Sequence, residues 1–175
     1  MKAWIKKSRT TVRACLAFSL IAMSAFAVPE EANAAQTGGA QRVEEYNLDK
    51  SKVALQGYDP VSYFKDGPEK GNKSISLTHE GVTYYFANEA NKIEFQGDPQ
   101  KYEPAFGGWC ATAMLDGTKY KIDPKTYKIV NGRNFLFYKG LLGNALKDWE
   151  KRTSEGSEAD LVKKADEEWS KHLQQ

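Results

Sequence analysis

Residues 74–103, SISLTHEGVTYYFANEANKIEFQGDPQKYE, decide the fold. Ile75 and Leu77 alternate with Ser74, Ser76 and Thr78, the period-two pattern of a half-buried strand. Glu80-Gly81 supplies a turn, and Val82–Phe86 is a β-branched and aromatic return strand. Asn88 then predicts a helix N-cap, with Ala90, Ile93 and Phe95 facing inward and Gly97 ending the helix. Asp98-Pro99 repeats the start signal, a cap residue followed by proline at the first helical position, for a short helix through Tyr102. Hairpin, helix and short helix in succession predict an α+β fold.

The flanks extend the same grammar. Before this stretch, Val53-Ala54-Leu55 is apolar, and Gly57–Phe64 is aromatic-rich with an Asp59-Pro60 break, which predicts an ordered loop and a short strand. After it, Gly107-Gly108-Trp109-Cys110 leads into Ala111–Met114. Tyr127–Val130, the Asn131-Gly132 turn and Asn134–Tyr138 predict a second hairpin. Two C-terminal helices close the chain. Leu141–Arg152 carries Leu142, Leu146 and Trp149; Ser157–Leu173 opens on Ser157 and Asp160 and carries Leu161, Ala165, Trp169 and Leu173 on one stripe. The residues show no internal repeat and no low-complexity tract. Small antiparallel hairpins packed with short helices and two C-terminal helices therefore make one domain, residues 47–175.

The N-terminus reads differently. Lys2, Lys6, Lys7, Arg9 and Arg13 precede the apolar run Ala14–Val28, and Ala32-Asn33-Ala34 offers a small-x-small cleavage pattern. The run is about 15 residues, short of the ~20 of a membrane-spanning helix. Residues 1–34 are thus expected to be a cleaved signal peptide and the protein to be exported, periplasmic or secreted, with no stable membrane span after cleavage. Residues 35–46, polar and small, read as a flexible leader.

Cleavage changes the charge. It leaves 20 basic against 21 acidic side chains in 141 residues, so no basic excess argues for nucleic acid or an anionic membrane surface. The remaining length suffices for one domain with a real core. Glycine-rich phosphate loops, Gly-x-Ser-x-Gly elbows, Cys-x-x-Cys and His-Glu-x-x-His motifs are missing.

What remains is sulfur. Export removes Cys15, Met1 and Met23, which leaves Cys110 as the one cysteine and Met114 as the one methionine. On a helix the two share a face and suit a soft ion such as Cu(I). On a strand they stand roughly 13 Å apart and the pairing fails. The bland alternative makes both core fillers. His79 is a possible third ligand; its other reading is a solvated strand end. Asp59 is a secondary candidate that otherwise caps a turn. If Cys110 opens a helix, that helix terminus favours the thiolate.

These residues resemble the exported YHS-domain proteins. The resemblance rests on Ala54–Phe64 (ALQGYDPVSYF), on Gly81–Asn88 with Asn91 and Phe95, and on Asp98–Tyr102. Gly107-Gly108-Trp109-Cys110-Ala111 and Ala165-Asp166 with Trp169 complete it. It runs from about Val53 to Leu173. It implies kinship with small domains found beside copper-transporting ATPases and some oxygenases, where cysteines are the presumed ligands. In the exported branch some members carry selenocysteine at the Cys110 position, which implies a redox-active or metal-binding role. Ser62 and Ala87 stand where related metal-binding versions have further cysteines, so a multi-thiolate site is not inherited.

Three functions follow as expectations. The first is copper binding through Cys110, with Met114 or His79 as co-ligand. The second is thiol-redox chemistry, with Cys110 as the reactive thiolate and a small thiol or redox protein as partner. The third is a non-catalytic interaction domain with a structural cysteine.

Overall fold

The computed structural model describes residues 39–174. The expected signal peptide, residues 1–34, lies outside them. Residues 39–45 form a first helix, α1, where a flexible leader was expected. Tertiary partners explain the difference. Arg42 pairs with Glu80 and with Glu103, Lys119 pairs with Glu45, and the Trp109 indole donates to the Glu45 carbonyl at 2.7 Å. None of these partners is near in sequence, so the local composition gave no sign of them.

The first hairpin pairs β1 (Asn72–His79) with β2 (Val82–Phe86), and Glu80 and Gly81 turn it with φ of 44° and 82°. Two successive left-handed residues match the right-handed twist of the strands. On β2, Val82, Tyr84 and Phe86 are fully buried while Thr83 and Tyr85 are half-exposed, the expected alternation. Helix α2 (Glu89–Gly97) follows, its Asn88 cap accepting the Asn91 N–H at 2.9 Å. Phe95 is buried as expected. Ala90 and Ile93 are exposed instead, Ile93 at 66%, and Asn91 takes the inward place. Helix α3 (Pro99–Tyr102) is capped by Asp98 as the sequence predicts.

The second hairpin pairs β3 (Asp123–Val130) with β4 (Arg133–Phe137) across Asn131-Gly132. Between the hairpins lies the short helix α4 (Ala111–Met114). A two-residue pair, β5 (Lys139–Gly140) with β6 (Gly143–Asn144), precedes helices α5 (Ala145–Glu155) and α6 (Glu158–His172). The helix expected from Leu141 thus starts at Ala145, because Asn144 caps it and Gly143 sits at a left-handed φ of 128°. The expected strand within Gly57–Phe64 is replaced by two 3-10 turns, Ala54–Gly57 and Ser62–Phe64. The described residues thus form an α+β domain with three two-stranded antiparallel sheets.

An internal repeat, absent from the sequence reading, organises this domain. Residues 53–87 and 104–138 follow one course at a constant offset of 51 positions. The strand limits of β1 and β2 map onto those of β3 and β4, and both hairpins break register at the same place, Asn72/Ser76 and Asp123/Tyr127. Val53 bridges Thr83 in parallel as Pro104 bridges Asn134. The left-handed run Leu55-Gln56-Gly57 (φ 56°, 52°, 78°) recurs as Phe106-Gly107-Gly108 (55°, 58°, 83°). Asp59 donates its N–H to Glu69 O at 2.9 Å, and Cys110 to Tyr120 O at 3.0 Å.

Two apolar clusters serve the two halves. One gathers Val61, Tyr63, Tyr84, Phe86 and Phe95, reaching Cys110, Ile122 and Leu136. The other gathers Phe106, Met114, Phe135, Phe137, Trp149 and Ala165. Burying an aromatic or aliphatic side chain of this size stabilises by about 1.5–3 kcal/mol each.

Candidate functional site

Cys110 ends the segment that runs beside β4, forming a parallel bridge with Leu136. The left-handed turn at Phe106-Gly107-Gly108 delivers it there, which is the geometric use of the glycine pair that the sequence suggested. Its own backbone is extended (φ −63°, ψ 118°), so it stands as the N-cap residue, outside α4. The side chain is 1% exposed. The sulfur accepts a hydrogen bond from the Tyr138 N–H at 3.3 Å.

Met114 donates its N–H to the Cys110 carbonyl at 3.0 Å, so the intervening turn is helical as the copper reading requires. The two side chains nevertheless belong to different apolar clusters. An extended cap residue does not project its Cβ in helical register with the residue four positions on. Cys110 packs in the first cluster, and Met114, fully buried, packs in the second with Trp149 and Ala165.

His79 is the last residue of β1 and half-buried. Its ring meets Phe95 edge-on at 6.2 Å, and its Nε2 lies 4.0 Å from Glu80 Oε1. Among the described residues no three His, Cys, Asp or Glu side chains gather where they could hold one metal ion. Cys110, His79 and Asp59 therefore do not form such a group.

Asp59 is fully buried and caps its turn, as one of its two readings held. Oδ1 accepts the Val61 N–H at 2.8 Å; Oδ2 accepts the Ala87 N–H at 2.8 Å and Asn91 Nδ2 at 2.6 Å. Loop, hairpin end and α2 all meet on this carboxylate. That also explains why Asn91 rather than Ile93 faces inward.

On the other side of the glycine pair, Gly107 lies against Tyr46 and Trp169, and a pocket of about 280 Å³ opens among Arg42, Glu103, Arg133 and these two aromatics. Burial, and then the Glu103 carboxylate, push the Tyr46 phenol up to about 12. Tyr84 donates to the same carboxylate at 3.0 Å and is likewise raised, mainly by burial. The Tyr84 hydroxyl is thus held as a hydrogen-bond donor. The sequence reading missed Arg42, Tyr46 and Tyr138. The offset pairs Gly57-Tyr58 with Gly108-Trp109 and Gly81 with Gly132, the one local sign that could have pointed to Tyr138 as the counterpart of Ala87.

No helix among the described residues is long and apolar enough to cross a membrane. Set against family models, curated proteins and solved structures, the chain matches none.

Proposed function

We propose that the protein is an exported, YHS-like binding module in which Cys110 is a structural thiol rather than a reacting group. One observation carries this. The buried Cys110 sulfur accepts the Tyr138 N–H in the same way that Asp59 Oδ2 accepts the Ala87 N–H one repeat earlier. In both halves a buried side-chain acceptor fastens the residue that follows the hairpin. A group engaged in holding the backbone, and closed to solvent, is suited to stability rather than turnover.

The test is alkylation of the native protein by a maleimide. Cys110 in the folded protein is expected to stay unmodified while urea-unfolded protein reacts completely. Rapid reaction of the folded state would overturn the reading. It would then support the thiol-redox alternative, which has one observation in its favour: an N–H aimed at sulfur serves a thiolate as well as a thiol.

Copper binding through Cys110, Met114 and His79 ranks behind both, because the two sulfurs pack in different clusters. Titration with Cu(I) addresses it directly. Tight binding by the wild type that Cys110→Ala abolishes would reinstate it.

A further inference from the structure

The two halves differ in how they leave their hairpins. In the first, Ala87 passes directly to Asn88, whose side chain caps α2. In the second, Tyr138, the counterpart of Ala87, is followed by Lys139–Gly143 before Asn144 caps α5. This insertion is the β5–β6 hairpin, and its tip is Leu141-Leu142, 106% and 82% exposed. The first half makes the same connection without it, so the fold does not need it. Adjacent, fully exposed leucines on a turn are not accounted for by packing either.

The tip is braced. The Leu142 N–H donates to the Tyr138 hydroxyl at 3.3 Å, and the Ala145 N–H to the Tyr138 carbonyl at 2.9 Å. The Tyr138 ring lies so close under Gly140 that a Cβ there would stand 2.4 Å from its hydroxyl oxygen. Tyr120, 40% exposed, meets Tyr138 edge-on at 5.1 Å and continues the patch. Lys139 follows Tyr138, and Lys147 lies in the first turn of α5 beside the exposed Asp148. Both lysines are exposed, and neither forms an ion pair among the described residues.

We propose that the Leu141-Leu142 tip inserts into the interface of a lipid bilayer bearing anionic headgroups. The proposal deepens the binding-module reading and rests on it. Exposed leucines flanked by tyrosines and lysines are the groups that a bilayer interface favours. A stable protein interface needs about 800 Å² per partner, more than two leucines on a turn supply. This surface is local, so the near-neutral charge of the whole chain does not oppose it.

Co-sedimentation of the purified protein tests this, with vesicles of phosphatidylcholine alone and with a phosphatidylglycerol admixture. The wild type is expected to bind the anionic vesicles. Leu141→Ser/Leu142→Ser is expected to bind about tenfold or more weakly with an unchanged thermal melt, and Lys139→Gln/Lys147→Gln to lose binding that salt also removes. The proposal fails if the wild type stays in the supernatant, or if the leucine variant binds equally well. It also fails if the leucines instead support a concentration-dependent dimer on size exclusion, which would assign the tip to a second copy. None of these outcomes touches the maleimide result, so failure at the membrane and failure of the structural-thiol reading are separately visible.

Discussion

Asp59 and Cys110 occupy equivalent places, 51 positions apart, in the two halves of the domain. Each donates its N–H across to the strand-entry segment, to Glu69 O and Tyr120 O, and each accepts the first N–H beyond its hairpin, from Ala87 or Tyr138. A carboxylate and a thiol are chemically unlike. Their shared property here is a buried acceptor aimed at one backbone amide.

That equivalence predicts an order of stabilities at position 110. Cys110→Ala leaves the Tyr138 N–H without its acceptor, a loss of about 1–3 kcal/mol. Cys110→Ser keeps an acceptor at nearly the same reach and is expected to cost less than alanine. If the thiol were only an apolar filler, burying a hydroxyl would make serine the worse substitution. Urea midpoints of the two variants decide between these orders.

Asp59 serves three donors where Cys110 serves one. Asp59→Ala is therefore expected to destabilise more than Cys110→Ala, by about 3 kcal/mol or more in all. Asp59→Asn, which keeps the shape but turns an amide toward a donor, should fall between wild type and alanine. Equal midpoints for Asp59→Ala and Cys110→Ala would break the comparison.

How much of this was legible depended on how local the signal is. Both hairpins were readable from their turn pairs, and α2 and α3 from Asn88 and Asp98, because these devices act within a few residues. The repeat was not. Between residues 53–87 and 104–138 only Ala54, Gly57, Lys70, Gly81 and Phe86 meet an identical residue, and backbone conformation carries the rest. The orientation of Asn91 depended on a carboxylate 32 positions away. That Cys110 is a cap rather than a helical residue, and packs in another cluster than Met114, is a distinction that spacing cannot make. Leu142 looked like part of a helical stripe because composition does not tell a short hairpin from the first turn of a helix.

Gly107 joins this backbone geometry to packing. At φ +58° it is left-handed, and a Cβ would lie 2.7 Å from Tyr46 Cδ1 and 3.0 Å from Trp169 Cη2. Gly107→Ala should therefore cost the left-handed penalty of about 1–2 kcal/mol plus about 1–3 kcal/mol of overpacking. Gly132 is also left-handed, but a Cβ there meets nothing within 4 Å. Gly132→Ala is the control, expected to show the backbone penalty alone. Thermal melts of the pair, with Trp169 emission as a local probe, would count against this account if the two shifted equally.

Acid should loosen the contact between β3 and the C-terminal helices through Glu158. Its carboxylate accepts Lys128 Nζ and, at 2.9 Å, the indole N–H of the buried Trp149. The Lys128 hydrogen bond, opposed by burial and aided by Trp149, holds Glu158 below its usual range. A lowered value in the fold means that the stabilisation is fully present above the unfolded carboxylate's pKa, about 4.3. It is lost as the pH falls below that through the folded value. Glu158→Gln keeps an acceptor for Trp149 but gives up the charge facing Lys128. The melting temperature of the wild type should accordingly exceed that of Glu158→Gln at pH 7, with the gap closing between about pH 5 and pH 3. Trp149 emission should report the same window. A gap that stays constant across that range would mean that Glu158 acts through its shape alone, and that the Lys128 pair adds nothing to the fold.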